Sequence, residues 1–347
     1  MPSTAVLGHG IALPQGFKIG LYAKGVESAS DMAYSPDGVL FVSLPGQGQV
    51  AALPDNDHNG EADQVTIYAG GLVQPMGIAF HDDYLYVAEE HQVVRYRYEP
   101  GNLTAGEAEV VVPGLPVGSG FVTHAIGFGP DDKLYVAIGA SCNACEEADS
   151  RRATIMRFNA DGTGGEIYAK GLRDVQGLAW YPDTGQLLAT NCNRNRMSDD
   201  TPPDTIEAIS QGGNYGWPYC YAGDVVDPEL GAPDSCNGVP RPFASLPAQT
   251  MPAGIIVYTG GQFPQEYDGD IFVASMGSWE RKYPVGYKIM RIHLANGEVN
   301  QVEDFASGWL VYQQAWGRPV GLIQAPDGSL LVSDDRANAI YRIYYGG

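Results

Sequence analysis

Apolar residues along this chain come in short runs that alternate with turn-forming clusters. They do not show the i, i+3, i+4 spacing of long amphipathic helices. Six times a turn is followed by one strand-like run and then a second. The segments are SPDGVLFVSLPGQGQVAAL from Ser35, HDDYLYVAEEHQVVRYRY from His81, and GPDDKLYVAIG from Gly129 followed by ATIMRF. Then come YPDTGQLLATNCNR from Tyr181 followed by DTIEAI, EYDGDIFVASMG from Glu266 followed by YKIMRI, and APDGSLLVSDDRANAIYRI from Ala325. The runs are too short for helices and rich in Val, Ile, Leu and Tyr, and the Asp-Gly pairs supply the backbone angles of hairpin turns. Ahead of each turn lies a further short segment: SDMAY, PMGIAF, HAIGF, VQGLAW, PAGIIVY and PVGLIQ. These carry small residues, Gly77, Ala125, Gly177, Gly254 and Gly321, as the crowded inner strand of a radial array requires. A multi-strand unit repeated at roughly 45 to 60 residues is the mark of a propeller. The expectation is an all-β, six-bladed β-propeller with four-stranded antiparallel blades around a central channel. It forms one domain over 1–347, with insertions near 193–251 and 276–287. A tandem of sandwiches would not repeat the same turn six times.

Composition narrows the function classes. The formal net charge of −21 opposes binding to nucleic acid or to anionic membrane surfaces. No apolar run is long enough for a membrane span. The opening MPSTAVLGHG has no basic stretch followed by an apolar one, so as it stands it does not read as a signal peptide; removal of a leader stays open. Five cysteines favour an oxidising, extracytoplasmic setting, periplasmic or secreted. Cys142 and Cys145 form a lone CxxC, which is either a local disulfide or two thiols. Cys220 and Cys236 flank a Gly/Asp/Pro-rich loop that they could staple, and Cys192 is left over.

Aligned on the inner strands, Glu27, Val73, Phe121, Arg173 and Gly317 fall at one position of the channel mouth. Ser28, Gln74, Val122, Asp174 and Arg318 fall at the next. Gln74, Arg173, Asp174 and Arg318 are therefore expected to face one ligand, and paired arginines suit a carboxylate-bearing one. His124 falls one position ahead of the small residue, aligned with Met76 and Gln176, where alternation along the strand can bring it near the axis.

Several segments carry a closer resemblance. FGPDDKLYVAIGASCNAC, GLRDVQGLAW, DDTPPDTIEAI, GGNYGWPYCY, YTGGQFPQEYDGDIFVASMGSWERKYPVGYKIMRI and WGRPVGLIQAPDGSLLVSDD occur in this order. Together they make the chain similar to the soluble quinoprotein glucose/sorbosone dehydrogenases, over nearly its whole length. The resemblance implies pyrroloquinoline quinone (PQQ) and Ca2+ at the channel, oxidation of a sugar or related alcohol, and an external electron acceptor. It also implies a role for Arg173 in positioning substrate and quinone. Arg281, Lys288 and Arg318 would neutralise quinone carboxylates. The loop Asp200, Thr201, Pro202 and Asp204 would hold the calcium through carbonyl oxygens.

The chain departs from the family pattern at the catalytic base. Phe121 stands where the resemblance places the histidine, and His124 stands at a following arginine. Asp174 replaces an asparagine, Gln249 and Met276 replace histidines, and Thr205 replaces an acid. Phenylalanine accepts no proton, so the base is His124, or Asp174, or the reaction is lost. Two rivals follow. One is a calcium-dependent, lactonase-like hydrolase with Glu27, Asp31 and Asp174 as conceivable ligands. The other is a non-catalytic ligand-binding propeller. Separately, Asp55, Asp57, Asn59 and Asp63 in DNDHNGEAD space oxygen ligands as a calcium loop does, without the bidentate glutamate at its end. Such a site would be structural and distant from the channel.

Overall fold

A computed structural model describes residues 3–122 and 124–346. Among the described residues its strands form eight sheets: two are small hairpins, and six, antiparallel but for a short parallel edge pairing of Ala169–Lys170 with Gly213–Asn214, form the blades of a ring. Blade 1 runs from the inside outwards through Met32–Tyr34, Leu40–Leu44, Gln49–Leu53 and Thr66–Gly70. The inner strands of blades 2 to 6 are Ile78–His81, Ile126–Phe128, Leu178–Trp180, Pro252–Val257 and Pro319–Gln324. Blade 6 takes its outermost strand, Phe17–Lys24, from the other end of the chain, where it pairs with Ala339–Tyr345 and closes the ring. The hairpin Ser3–Val6/His9–Ala12 extends blade 5 through Ala12 and Ser307.

The turns have the predicted chemistry. Gly38, Asp82, Asp132, Gly185, Gly269 and Gly328 all take positive φ, as Asp, Asn and Gly do in hairpin connections. The second strands are apolar without interruption because both their faces are covered. Leu40 and Val42 point into the core between blades 6 and 1, whereas Phe41 points into the core between blades 1 and 2. Leu330 and Val332 likewise serve the core with blade 5, and Leu331 the core with blade 1. The period of two thus feeds two separate cores from one strand. Each blade interface has its own cluster, and each buried large side chain contributes about 1.5–3 kcal/mol.

The small inner residues are required by contact. A Cβ on Gly77 would lie 2.4 Å from the carbonyl oxygen of His124, and one on Gly177 would lie 2.3 Å from that of Ala253. Neighbouring blades touch backbone to backbone there. Gly177→Val is expected to destabilise the fold by roughly 1–3 kcal/mol through overpacking. A drop in the denaturant midpoint without a change of slope would report it.

Glu207 is a second point of tension. It lies on the blade 4 strand Asp204–Ile209 and is 2% exposed. Its Oε2 has no hydrogen-bond partner among the described residues. Burial raises its pKa from 4.5 to about 7. Because the folded acid holds its proton more tightly than the unfolded one, stability is full below about pH 4.5. It falls as pH rises towards 7, by a few kcal/mol at most. Glu207→Gln should remove this slope. Unfolding midpoints of the two proteins should agree at pH 4 and separate in favour of the variant at pH 8.

Candidate functional site

Strand direction alternates along each blade, so the second-to-third turns and the blade-to-blade connections share one face. The loops 139–153, 192–203 and 276–287 and the connections 114–122, 171–177 and 308–318 gather there. Along the axis the inner strands leave a narrow neck lined by Asp31, Gly77, His124, Gln176, Gly254 and Gly321. Beyond it a vestibule of about 440 Å3 reaches the opposite face. Asp31 stands between the two; burial raises its pKa to about 6 against the lowering effect of the Ile78 and Met32 amides.

Arg173 lies on the connection 171–177 of the upper face. It is 2% exposed. Its Nε donates to the carbonyl of Asn143 (3.0 Å), its Nη2 to Oδ1 of Asn143 (2.8 Å) and its Nη1 to the carbonyl of Cys192 (3.0 Å). The ring of Phe121 covers one side of the guanidinium, with its centroid 4.3 Å from Cζ. All these partners are neutral, and among the described residues no carboxylate forms an ion pair with Arg173. Burial lowers its pKa, while the fields of Asp174 and Asp204 oppose that. A guanidinium stays charged even so. A desolvated cation with no carboxylate bonded to it costs free energy that an anionic ligand recovers.

Arg281 is also incompletely matched. Its Nη1 donates to the Ala248 carbonyl (3.1 Å), and Nη2 lies 3.4 Å from Asp200, whose side chain is 93% exposed. Its Nε is buried without a hydrogen-bond partner among the described residues. The other two expected cations are satisfied by the protein itself. Arg318 holds Asp335 with Nε at 2.7 Å and Nη2 at 2.5 Å, and Asp335 raises its pKa. Lys288 lies 2.5 Å from Asp304. Gln74 is exposed with φ 48°.

The candidate bases differ in their surroundings. His124 is 0% exposed, with Nδ1 2.9 Å from the Ala137 carbonyl and Nε2 3.1 Å from that of Glu90. Burial lowers its pKa, and the two carbonyls oppose the shift. Both ring nitrogens thus face backbone acceptors. Asp174 is buried and receives Nε2 of Gln176 on both oxygens, at 2.8 and 2.9 Å. Phe121 lies on the connection that leads into the blade 3 inner strand, with its ring against Arg173.

The loop 198–204 holds together by its own bonds. The Ser198 amide donates to the Thr201 carbonyl, and Asn193 Nδ2 to the Pro203 carbonyl. Asp204 turns inwards to the amides of Asn193 (2.9 Å) and Met251 (3.0 Å), and burial raises its pKa to about 6. Pro202 follows a cis peptide bond.

On the opposite face, the carboxylates of DNDHNGEAD cap amides of their own loop. Asp55 accepts from Asn59 and Gly60, Asp57 from Asn59, and Asp63 from Asn56. Among the described residues these acids do not share one point, nor do Glu27, Asp31 and Asp174; the one grouping within reach of an ion, Cys142, Cys145 and Glu147, contains a disulfide. Cys142–Cys145 and Cys220–Cys236 are both bonded, and Cys192 is buried and free.

Asn143, which carries two of the Arg173 bonds, was not singled out by sequence reasoning. Its one signal is its place between the two cysteines of the CxxC.

Comparison with known proteins agrees with this architecture. The profile described as Glucose / Sorbosone dehydrogenase matches residues 27–342. An uncharacterized protein of Borreliella burgdorferi is 28% identical over 353 residues, covering 96% of this chain and 91% of its own. The holo PQQ domain of pyranose dehydrogenase from Coprinopsis cinerea superposes with a TM-score of 0.84 at 18% identity, covering 99% of both chains. PQQ-bound aldose sugar dehydrogenase from Streptomyces coelicolor superposes with a TM-score of 0.67 at 22% identity, covering 96% of this chain and 99% of that one. The two structures share the propeller fold, and the match over 27–342 carries the assignment: the chain belongs to the glucose/sorbosone dehydrogenase family of oxidoreductases.

Proposed function

We propose that this protein binds PQQ with Ca2+ at the upper channel mouth and oxidises a sugar or related alcohol, passing electrons to an external acceptor. The observation that carries the reading is Arg173, a buried cation whose hydrogen bonds all go to neutral oxygens. The Nε of Arg281, without a partner among the described residues, adds a second unmet donor on the same face. Both suit the carboxylates of an anionic quinone. When bound, the quinone and its calcium supply a hydride acceptor polarised by a Lewis acid. Asp200, Thr201, Pro202 and Asp204 would hold the calcium. Arg173 and Arg281 bind and orient the anionic guest. Lys288 and Arg318 act less directly, since each already meets a carboxylate. Gln74 offers an exposed amide at the rim. The proton of the substrate hydroxyl needs an acceptor: Phe121 is none, His124 has both nitrogens on carbonyls, and Asp174 is the acid that remains. The two disulfides suit an extracytoplasmic setting. Among the described residues no helix is long and apolar enough to cross a membrane.

A specific observation favours a second reading. With Phe121 against Arg173, the site holds an anion binder without an evident base, which is what a non-catalytic propeller needs. Reconstitution with PQQ and Ca2+, followed by aldoses and a dye acceptor, separates the two. Uptake with dye reduction supports the dehydrogenase, and uptake without turnover supports the binder. Absence of uptake overturns both.

A further inference from the structure

We infer that Asn143 is a positioning residue for Arg173, and that its neutrality keeps the guanidinium charge available to an anionic ligand. The inference rests on the reading that Arg173 meets such a ligand. Two of the three Arg173 hydrogen bonds end on Asn143, one on its carbonyl and one on its side-chain oxygen. The same two oxygens are shared with other loops. The carbonyl accepts Nε1 of Trp217 at 3.2 Å, and Oδ1 accepts the Asn195 amide at 2.9 Å. Asn143 Nδ2 donates to the Asn195 carbonyl at 2.9 Å. This two-way contact with Asn195 fixes which end of the amide faces Arg173, because the flipped side chain would set its NH2 against the Arg173 and Asn195 donors and its oxygen against the Asn195 carbonyl. The Cys142–Cys145 disulfide closes the turn that carries Asn143 and packs with Phe121 beside Ala140, Trp217 and Tyr221. Asn143 therefore ties the 142–145 turn, the 193–195 segment and Trp217 to one guanidinium.

Residue type at this position decides the charge of the site. Asparagine accepts from Arg173 and leaves the cation unneutralised. Aspartate would accept the same bond as a carboxylate, cancel the charge and set its second oxygen against the Asn195 carbonyl. A purely structural role would be disturbed by Asn143→Ala and relieved by no charge argument; a positioning role predicts different failures for the two substitutions.

The test uses the full chain with PQQ and Ca2+, read by quinone affinity and by the Nε–H resonance of Arg173 in 15N spectra. Asn143→Ala should shift that resonance and speed its exchange with solvent, and weaken PQQ binding about tenfold or more, as loss of a charge-assisted bond implies. Asn143→Asp should keep the resonance protected yet weaken PQQ binding at least as much and flatten its salt dependence. The Cys142→Ser/Cys145→Ser pair should reproduce the alanine effect in milder form and serves if Asn143→Ala fails to fold. Affinities within twofold of the parent for both Asn143 variants, with the resonance unchanged in the alanine variant, would overturn the inference. If the parent takes up no PQQ, the functional reading fails; the resonance of Asn143→Ala then still decides the positioning role.

Discussion

Replacing Phe121 with histidine is expected to raise the rate of sugar oxidation by the PQQ-loaded protein by about 10²–10⁴-fold, the usual contribution of a positioned general base. The ring of Phe121 already lies against the Arg173 guanidinium, 4.3 Å from Cζ. An imidazole there would feel that cation, which disfavours its protonated form. It would therefore be neutral at pH 7 and able to accept a proton. The rate of the variant should climb with pH as the imidazole loses its proton, level off below the ordinary histidine pKa near 6.5, and stay level. The parent should lack that step. The loss of the cation–π contact costs about 0.5–2 kcal/mol of fold stability and removes no donor to the quinone, so quinone affinity should change little. A folded variant that binds PQQ like the parent and turns over no faster would show that the missing base is not what limits this protein.

Arg173→Ala is expected to weaken PQQ binding by about a hundredfold or more. A bidentate guanidinium–carboxylate contact contains two charge-assisted hydrogen bonds, each worth about 1.5–3 kcal/mol. Lysine would restore the charge without the planar fork, so Arg173→Lys should fall between the two. Removal of the side chain also breaks three loop contacts. Thermal melts in the absence of quinone separate that loss from the binding effect: the affinity change should exceed what the stability change of either variant explains. Equal affinity in Arg173→Ala and the parent would remove Arg173 from the site.

The propeller was legible because its signals are local. A turn rich in Pro, Asp and Gly recurs beside each apolar run, and each run feeds two cores by simple alternation. Gly77 and Gly177 could be predicted as small because the inner strands crowd at the axis. The closing strand Phe17–Lys24 was not legible: its partner, Ala339–Tyr345, is at the far end of the chain, and nothing in FKIGLYAK names it. The candidate residues were legible and their pairing was not. Arg173 lies on the connection into the blade 4 inner strand, bonded to Asn143 and Cys192. That Arg318 spends its fork on Asp335, and Lys288 its charge on Asp304, depends on neighbours that residue spacing along one strand does not specify. His124 illustrates the same gap. Its place beside the axis follows from alignment, yet its two carbonyl partners lie on Ala137 and Glu90, in different blades. The carboxylates of Asp55, Asp57 and Asp63 have the spacing of a cation loop and are turned to backbone amides instead, a choice of partners made by the turn itself.

The most direct measurement is a titration of the intact, folded protein with PQQ in the presence of Ca2+, followed by quinone absorption and repeated at increasing salt. Saturable one-to-one uptake that weakens as salt rises is the predicted result, since the Arg173 guanidinium, whose hydrogen bonds go to neutral oxygens, would attract the anion. Uptake that is absent, or indifferent to salt and to Arg173→Ala, would contradict it.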